Sequence, residues 1–271
     1  MTTPQPLSAV SKTALAVARV RALESAAGSP LFTDPYAAAF VAASDEPIRP
    51  QHRPGPLATA LMRQTVLRTR FYDDRLVGSG CDQVVVLAAG LDTRAYRLPW
   101  PAGVRLYELD LPPVFAFKHR VLAAEGAAPR CERTAVPADL LTPGWADRLV
   151  GAGFDPARPT AWLIEGLLVY LTAEEAATLL TTVGELSAPA SRLALERGRS
   201  GKTVVDDPSV AHITSLWKGG LGTGTAGWLA AHGWSTEEHP LHAVAAHYGR
   251  PMANPSGTGF ITALRTAPSA P

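Results

Sequence analysis

Between positions 80 and 200 the chain alternates two patterns. Short apolar runs rich in β-branched residues occupy Gln83–Leu87, Val104–Leu109, Arg133–Val136, Ala161–Ile164 and Arg192–Leu195. Longer stretches whose apolar residues recur every three or four positions occupy Val114–Glu125, Trp145–Gly151 and Ala173–Leu186. A continuous apolar run marks a strand covered on both faces, and the 3.6-residue repeat marks an amphipathic helix. Strands alternating with helices predict right-handed βαβ units and a doubly wound α/β sheet. Two further candidate strands, Trp234–His239 and Gly259–Leu264, bring the expected sheet to seven, mostly parallel, with helices on both faces.

The first eighty residues read differently. Residues 1–10 are polar and predict a frayed end. Ser11–Glu24 fits a helix ending near Gly28, and Thr33-Asp34-Pro35 predicts a capped start for a helix over Tyr36–Ala43. Ser44–Pro56 reads as a loop, and a helix over Leu57–Leu76 is stopped by Gly78-Ser79-Gly80. Ser200–Gly227 is glycine-rich and polar, and predicts a mobile insertion before a helix at Trp228–His232. The expectation is one domain over 1–271. It combines a helical N-terminal lid segment (1–80) with a Rossmann-like core (81–271) carrying a lid insertion near 200–233.

Charge narrows the partners. Basic and acidic residues number 25 and 24, a net charge of +1, which gives no electrostatic footprint for nucleic acid or an anionic membrane. No stretch reaches the ~18 apolar residues of a transmembrane helix. Lys12, Arg19, Arg21 and Glu24 interrupt any signal-peptide pattern, so a cytoplasmic location is expected. Cys81 and Cys131 are too few for a disulfide scaffold and read as small apolar residues beside strands.

The first strand runs into Leu87-Ala88-Ala89-Gly90-Leu91-Asp92. A doubly wound sheet binds its ligand at the carboxyl ends of the strands, and the small Ala88 and Gly90 allow close approach to the backbone. The bland alternative is a turn that merely seats a helix on the sheet. Asp110 ends the second strand twenty residues after Gly90, the spacing at which one carboxylate accepts from both ribose hydroxyls. The turn lacks the third glycine of a dinucleotide fingerprint, and Asp92 stands where a pyrophosphate would lie, which disfavours nicotinamide cofactors. Asp139 and Glu165 end the third and fourth strands. Acids on successive strand ends suit a ligand with an ammonium, an exocyclic amine and ribose hydroxyls, and S-adenosylmethionine carries all three.

Several separated motifs then resemble one family. They are Leu31-Phe32-Thr33-Asp34-Pro35-Tyr36, Arg68-Thr69-Arg70-Phe71-Tyr72-Asp73-Asp74, Ala89-Gly90-Leu91-Asp92-Thr93-Arg94-Ala95-Tyr96-Arg97-Leu98, Tyr107-Glu108-Leu109-Asp110-Leu111-Pro112, Glu165-Gly166-Leu167-Leu168-Val169-Tyr170-Leu171 and Tyr248-Gly249-Arg250-Pro251. In this order they resemble the leucine carboxyl methyltransferase superfamily, above all its bacterial branch, which includes polyketide carboxyl methyltransferases. The resemblance implies a class I methyltransferase fold and S-adenosylmethionine as cofactor, without a metal. It implies Arg68, with Arg70 as fallback and Arg21 near a further basic position, for the cofactor carboxylate. It also implies Asp110 for the ribose, Asp139 and the Leu140 backbone for adenine, and Glu165 for the ammonium. One departure stands out: the family has Gly-Ala-Gly where this chain has Ala88-Ala89-Gly90.

Other motifs carry less. Glu196–Thr203 approximates a phosphate-binding loop, but Glu196 occupies its first glycine position and would oppose phosphates. The glycines of 219–224 follow no strand. His232, His239, His242 and His247 lack the spacing of a zinc site. Tyr36 and Tyr170 read as pocket-lining or as core tyrosines. No residue announces itself as a general base. An ionised carboxylate acceptor needs none, so a carboxylate on a small metabolite or a peptide C-terminus is the expected methyl acceptor, without nucleic-acid or membrane partners. A phenol or enol acceptor and a non-catalytic S-adenosylmethionine-binding protein are the alternatives.

Overall fold

The structure is a computed structural model and describes residues 9–44, 55–198, 207, 210–252 and 258–267. Seven strands form one sheet: β1 (Gln83–Leu87), β2 (Arg105–Asp110), β3 (Glu132–Pro137), β4 (Thr160–Ile164), β5 (Arg192–Glu196), β6 (Trp234–Pro240) and β7 (Gly259–Arg265). Their spatial order is β3-β2-β1-β4-β5-β7-β6. β1 to β5 pair in parallel, and β7 runs antiparallel to both β5 and β6. The order reverses at β1, between β2 and β4, and such a switch point opens a crevice at the carboxyl strand ends.

Every residue of β1 and β4 is buried, because side chains alternate between faces and both faces are covered. On one face Val84, Val86, Leu106 and Leu163 pack with Leu67 and Phe71 of α3 (Pro56–Val77) and Phe117 and Val121 of α5 (Pro112–Ala124). On the other, Val85, Leu87, Trp162 and Ile164 pack with Leu149 of α6 (Trp145–Gly151) and Leu179 of α7 (Ala173–Glu185). The remaining helices are α1 (Ala9–Ser25), α2 (Ala37–Ala42), α4 (Arg94–Arg97), α8 (Ala211–Thr214), α9 (Thr225–Ala231) and α10 (Leu241–His247). The N-terminal helices pack as α1 on α2 and α3, and α3 reaches β4 and α10.

Three expectations need correction. Thr33 and Asp34 do not cap α2, whose preceding residue is Tyr36 without a side-chain cap. Asp34 instead accepts from the Tyr36 amide at 3.1 Å and is drawn to Arg21 and Thr93. The helix expected from Trp228 starts at Thr225, after a 3-10 turn over Gly222–Gly224. α4, α8 and α10 were not anticipated. Residues 1–8, 45–54 and 199–206 of the expected frayed end, loop and insertion lie outside the described residues. Among the described residues no helix is long and apolar enough to cross a membrane.

Candidate functional site

β1 ends at Leu87, and the chain turns through Ala88 and Gly90, both left-handed at φ +51° and +49°. That conformation costs an alanine about 1–2 kcal/mol because Cβ crowds the carbonyl, and costs glycine little. Asp110, at the end of β2, closes the turn: its Oδ2 accepts from the Gly90 amide at 2.6 Å and its Oδ1 from the Leu111 amide at 2.6 Å. Each oxygen keeps a second lone pair. Burial raises the Asp110 pKa, against the two amide bonds and Lys118. Glu108, two residues earlier, is fully buried between Lys118 at 2.6 Å and Arg133 at 2.7 Å. Of the two acids of β2, only Asp110 remains for the crevice.

At the end of β3, Asp139 Oδ1 accepts from the Leu141 amide at 2.9 Å. A cleft of about 250 Å³ opens there between Leu111, Pro112, Pro137, Ala138, Asp139, Thr142, Trp145 and Arg148. Leu140 packs half-buried against the adjoining core. The cleft lies at the ends of β2 and β3, where Asp139 lines it together with Leu111, the neighbour of Asp110.

The end of β4 carries a chain of alternating charges. Glu165 Oε1 lies 2.8 Å from Arg68 Nε, and Glu165 Oε2 lies 2.8 Å from Arg94 Nη1. Arg68 Nη1 donates to Glu196 at 2.8 Å. Arg94 also binds Asp92 and, at 2.7 Å, Asp73, which takes Arg97 at 2.6 Å. Burial opposes the Glu165 charge, but Arg94 and Arg68 win and its pKa is lowered. Glu196 goes the other way: burial and the neighbouring Glu165 raise its pKa despite Arg68. Asp92 is also buried, yet Arg94, Lys118 and Arg21 lower its pKa to about 2. Asp92 is thus not the bare carboxylate that the sequence suggests, because Arg94 neutralises it.

The other sequence candidates separate. Arg70 points away from Arg68, since two residues on a helix differ by about 200°. It donates to Asp74 at 3.0 Å and to the Leu31 carbonyl at 3.0 Å, and lies over the Tyr248 ring, so it is no fallback for Arg68. Arg21 is buried and committed to Asp34 at 2.9 Å and to the Leu91 carbonyl at 2.6 Å. It braces the turn after β1. Tyr36 packs edge-on against Tyr96 at 5.9 Å, and Tyr170 sits half-buried in a 3-10 turn over Leu168–Tyr170. The Val169 carbonyl of that turn accepts from the amides of Lys218 and Gly219, bringing part of the 200–233 stretch to the end of β4. His232 stacks on Trp228, and His239 lies beside Phe71 and 2.8 Å from the Thr262 hydroxyl. Among the described residues no cluster of His, Cys, Asp or Glu has the makings of a metal site.

Sequence reasoning gave no role to Arg94, Asp73, Arg97 or Glu196. The first three lie within the family motifs, where only motif membership marks them. Glu196 ends β5 as Glu165 ends β4, so the strand-end signal applied to it equally.

Comparison with known proteins fits this geometry. The family model for leucine carboxyl methyltransferase matches residues 14–184. A relative from Parafrankia sp., whose name places it among the S-adenosyl-L-methionine-dependent methyltransferases, is 49% identical over 271 residues, 94% of this chain and 87% of that protein. A relative of similar name from Streptomyces coelicolor is 42% identical over 275 residues, 95% of this chain and 96% of its own. A crystal structure from Thermobifida fusca, described as a methyltransferase, superposes with a TM-score of 0.57 at 16% identity. It covers 92% of this chain and 94% of that one, which shows a shared fold. The seven-stranded switch-point sheet, the matched residues and these relatives agree that the chain belongs to the leucine carboxyl methyltransferase family.

Proposed function

We propose that the chain methylates a carboxylate with S-adenosylmethionine as donor, forming a methyl ester on a small metabolite or a peptide C-terminus. Its family and its relatives at 42% and 49% identity make it an S-adenosylmethionine-dependent methyltransferase. The observation that carries the cofactor assignment is the Arg68–Glu165 pair at the end of β4, with Asp110 at the end of β2 on the other side of the switch-point strand β1. An arginine and a glutamate side by side match the carboxylate and ammonium of an amino-acid head. Asp110, with a lone pair left on each oxygen, matches the two adjacent ribose hydroxyls. Asp139 and the Leu140 backbone, at the cleft that follows β3, would be the residues to hold the adenine. The residues present therefore fit the cofactor.

When bound, the cofactor supplies an electrophilic methyl group on a sulfonium. The chain supplies positioning. Glu165 and Glu196 are balanced by Arg68 and Arg94, so Asp110 and Asp139, which form no ion pair among the described residues, are the acids left to favour a cationic donor. A carboxylic acid with a pKa near ~4 is ionised at neutral pH and needs no base. Attraction between sulfonium and carboxylate vanishes as charge is lost in transfer, so excluding water from the crevice favours reaction. Helices α1 to α3, with Tyr36, and the Tyr170 turn with the Lys218-Gly219 segment bonded to it would supply that cover.

Incubation with methyl-labelled cofactor and a panel of acids and phenols tests the reading. Label released as methanol by mild base is the expected result. A base-stable product would argue for a phenolic or enolic acceptor, and tight binding without turnover for a binding protein.

A further inference from the structure

Arg68 is held at two of its three nitrogens. Nη1 donates to Glu196 at 2.8 Å, Nε lies 2.8 Å from Glu165 as an ion pair without hydrogen-bond geometry, and Nη2 makes no hydrogen bond to the described residues. The two anchors differ in kind. Glu165 belongs to the exchangeable part of the site, because a ligand ammonium would compete with Arg68 for it. Glu196 is fixed from behind: both its oxygens accept from the Gly166 amide, at 2.8 and 3.0 Å. Gly166 is left-handed at φ +64°, a conformation that favours glycine, and it sits directly against the guanidinium, where even a Cβ would be in van der Waals contact with Arg68 Nη1 at 3.6 Å. A planar fork presents its outer nitrogen in one direction only when its plane is fixed.

We infer that Glu196 is a positioning residue for the amino-acid end of the cofactor: it holds the guanidinium plane of Arg68 so that Nη2 is offered to the cofactor carboxylate. The inference rests on the cofactor assignment above. With Glu165 paired to a ligand ammonium, the Gly166-anchored Glu196 would be what keeps Arg68 in place.

The test compares S-adenosylhomocysteine with 5′-methylthioadenosine, which shares the adenosine and sulfur but lacks the amino-acid head. Calorimetric titration of Glu196→Gln, which keeps an acceptor for Gly166, is expected to show about tenfold weaker binding of the former and a change under about twofold for the latter. Glu196→Asp, which keeps the charge but withdraws it by one methylene, is expected to show the same selectivity. In an Arg68→Met background, Glu196→Gln should add nothing. Equal losses for both ligands, unchanged S-adenosylhomocysteine affinity, or independent effects of Arg68 and Glu196 would each overturn the positioning role. If the unmutated protein bound neither ligand, the cofactor assignment itself would fall.

Discussion

Asp110 Oδ2 lies 2.6 Å from the Gly90 amide, so the acid that ends β2 is tied to the turn that leaves β1. The bond spans twenty residues of sequence and fixes two of the groups a bound adenosine would meet. It also uses only half of the carboxylate. The remaining lone pairs point to a ligand that brings hydroxyls, and they give Asp110 a test of its own.

Replacing Asp110 by Ala is expected to weaken S-adenosylhomocysteine binding at least about tenfold, since two charge-assisted hydrogen bonds worth about 1.5–3 kcal/mol each would be lost. Isothermal titration reads the change directly. An unaltered dissociation constant would remove Asp110 from the site.

Burial raises the Asp110 pKa, so its carboxylate takes up a proton at higher pH than an ordinary aspartate. The ionised form is the better acceptor for hydroxyls. Cofactor affinity should therefore fall on acidification, starting above the usual aspartate range. A pH series of titrations with unmutated protein and Asp110→Asn checks this, and the amide variant should lose the dependence.

Asp92 supplies an acid limit of stability. Its pKa is about 2 in the fold against an ordinary 3.8, so the ionised form favours the folded state. That contribution is complete above the ordinary value and disappears as pH falls from there through about 2. Arg94→Met removes the cation responsible and leaves Asp92 without its ion-pair partner, while Asp73 keeps Arg97 and Glu165 keeps Arg68. Breaking a buried pair in this way costs about 3–5 kcal/mol near neutrality. Denaturant titrations between acid and neutral pH should show the lower plateau and a flatter acid limb.

Ala88→Gly is expected to stabilise the protein by about 1 kcal/mol, opposite in sign to most buried Ala→Gly changes, because it relieves a left-handed alanine. The midpoint of chemical denaturation is the readout. A loss of stability would mean that the Ala88 methyl group contributes more in packing than its backbone conformation costs.

The sheet was legible because each strand is a short run set against helical periodicity. β1 was read at its observed bounds, and β2 to β5 to within a residue or two. The placement of Asp110, Asp139 and Glu165 at strand ends was legible because each directly follows or closes an apolar run. α4 escaped notice because four residues give no period, and α10 because polar histidines interrupt Leu241–His247. The charge chain was not legible: Arg68, Arg94, Glu165 and Glu196 meet only through tertiary folding, and spacing along the sequence encodes none of those contacts. Arg68 and Arg70 could be told apart only by direction around α3, which the structure gives.

The antiparallel β7 has a consequence for how the protein is made. It fills the gap between β5 and β6, yet it is encoded after both. As the nascent chain emerges, the parallel half of the sheet can assemble first, while one side of β5 keeps unsatisfied amides and carbonyls. Sealing that side waits for residues 259–265, so the interval before their release is when the polypeptide is most open to wrong pairing and most dependent on chaperones.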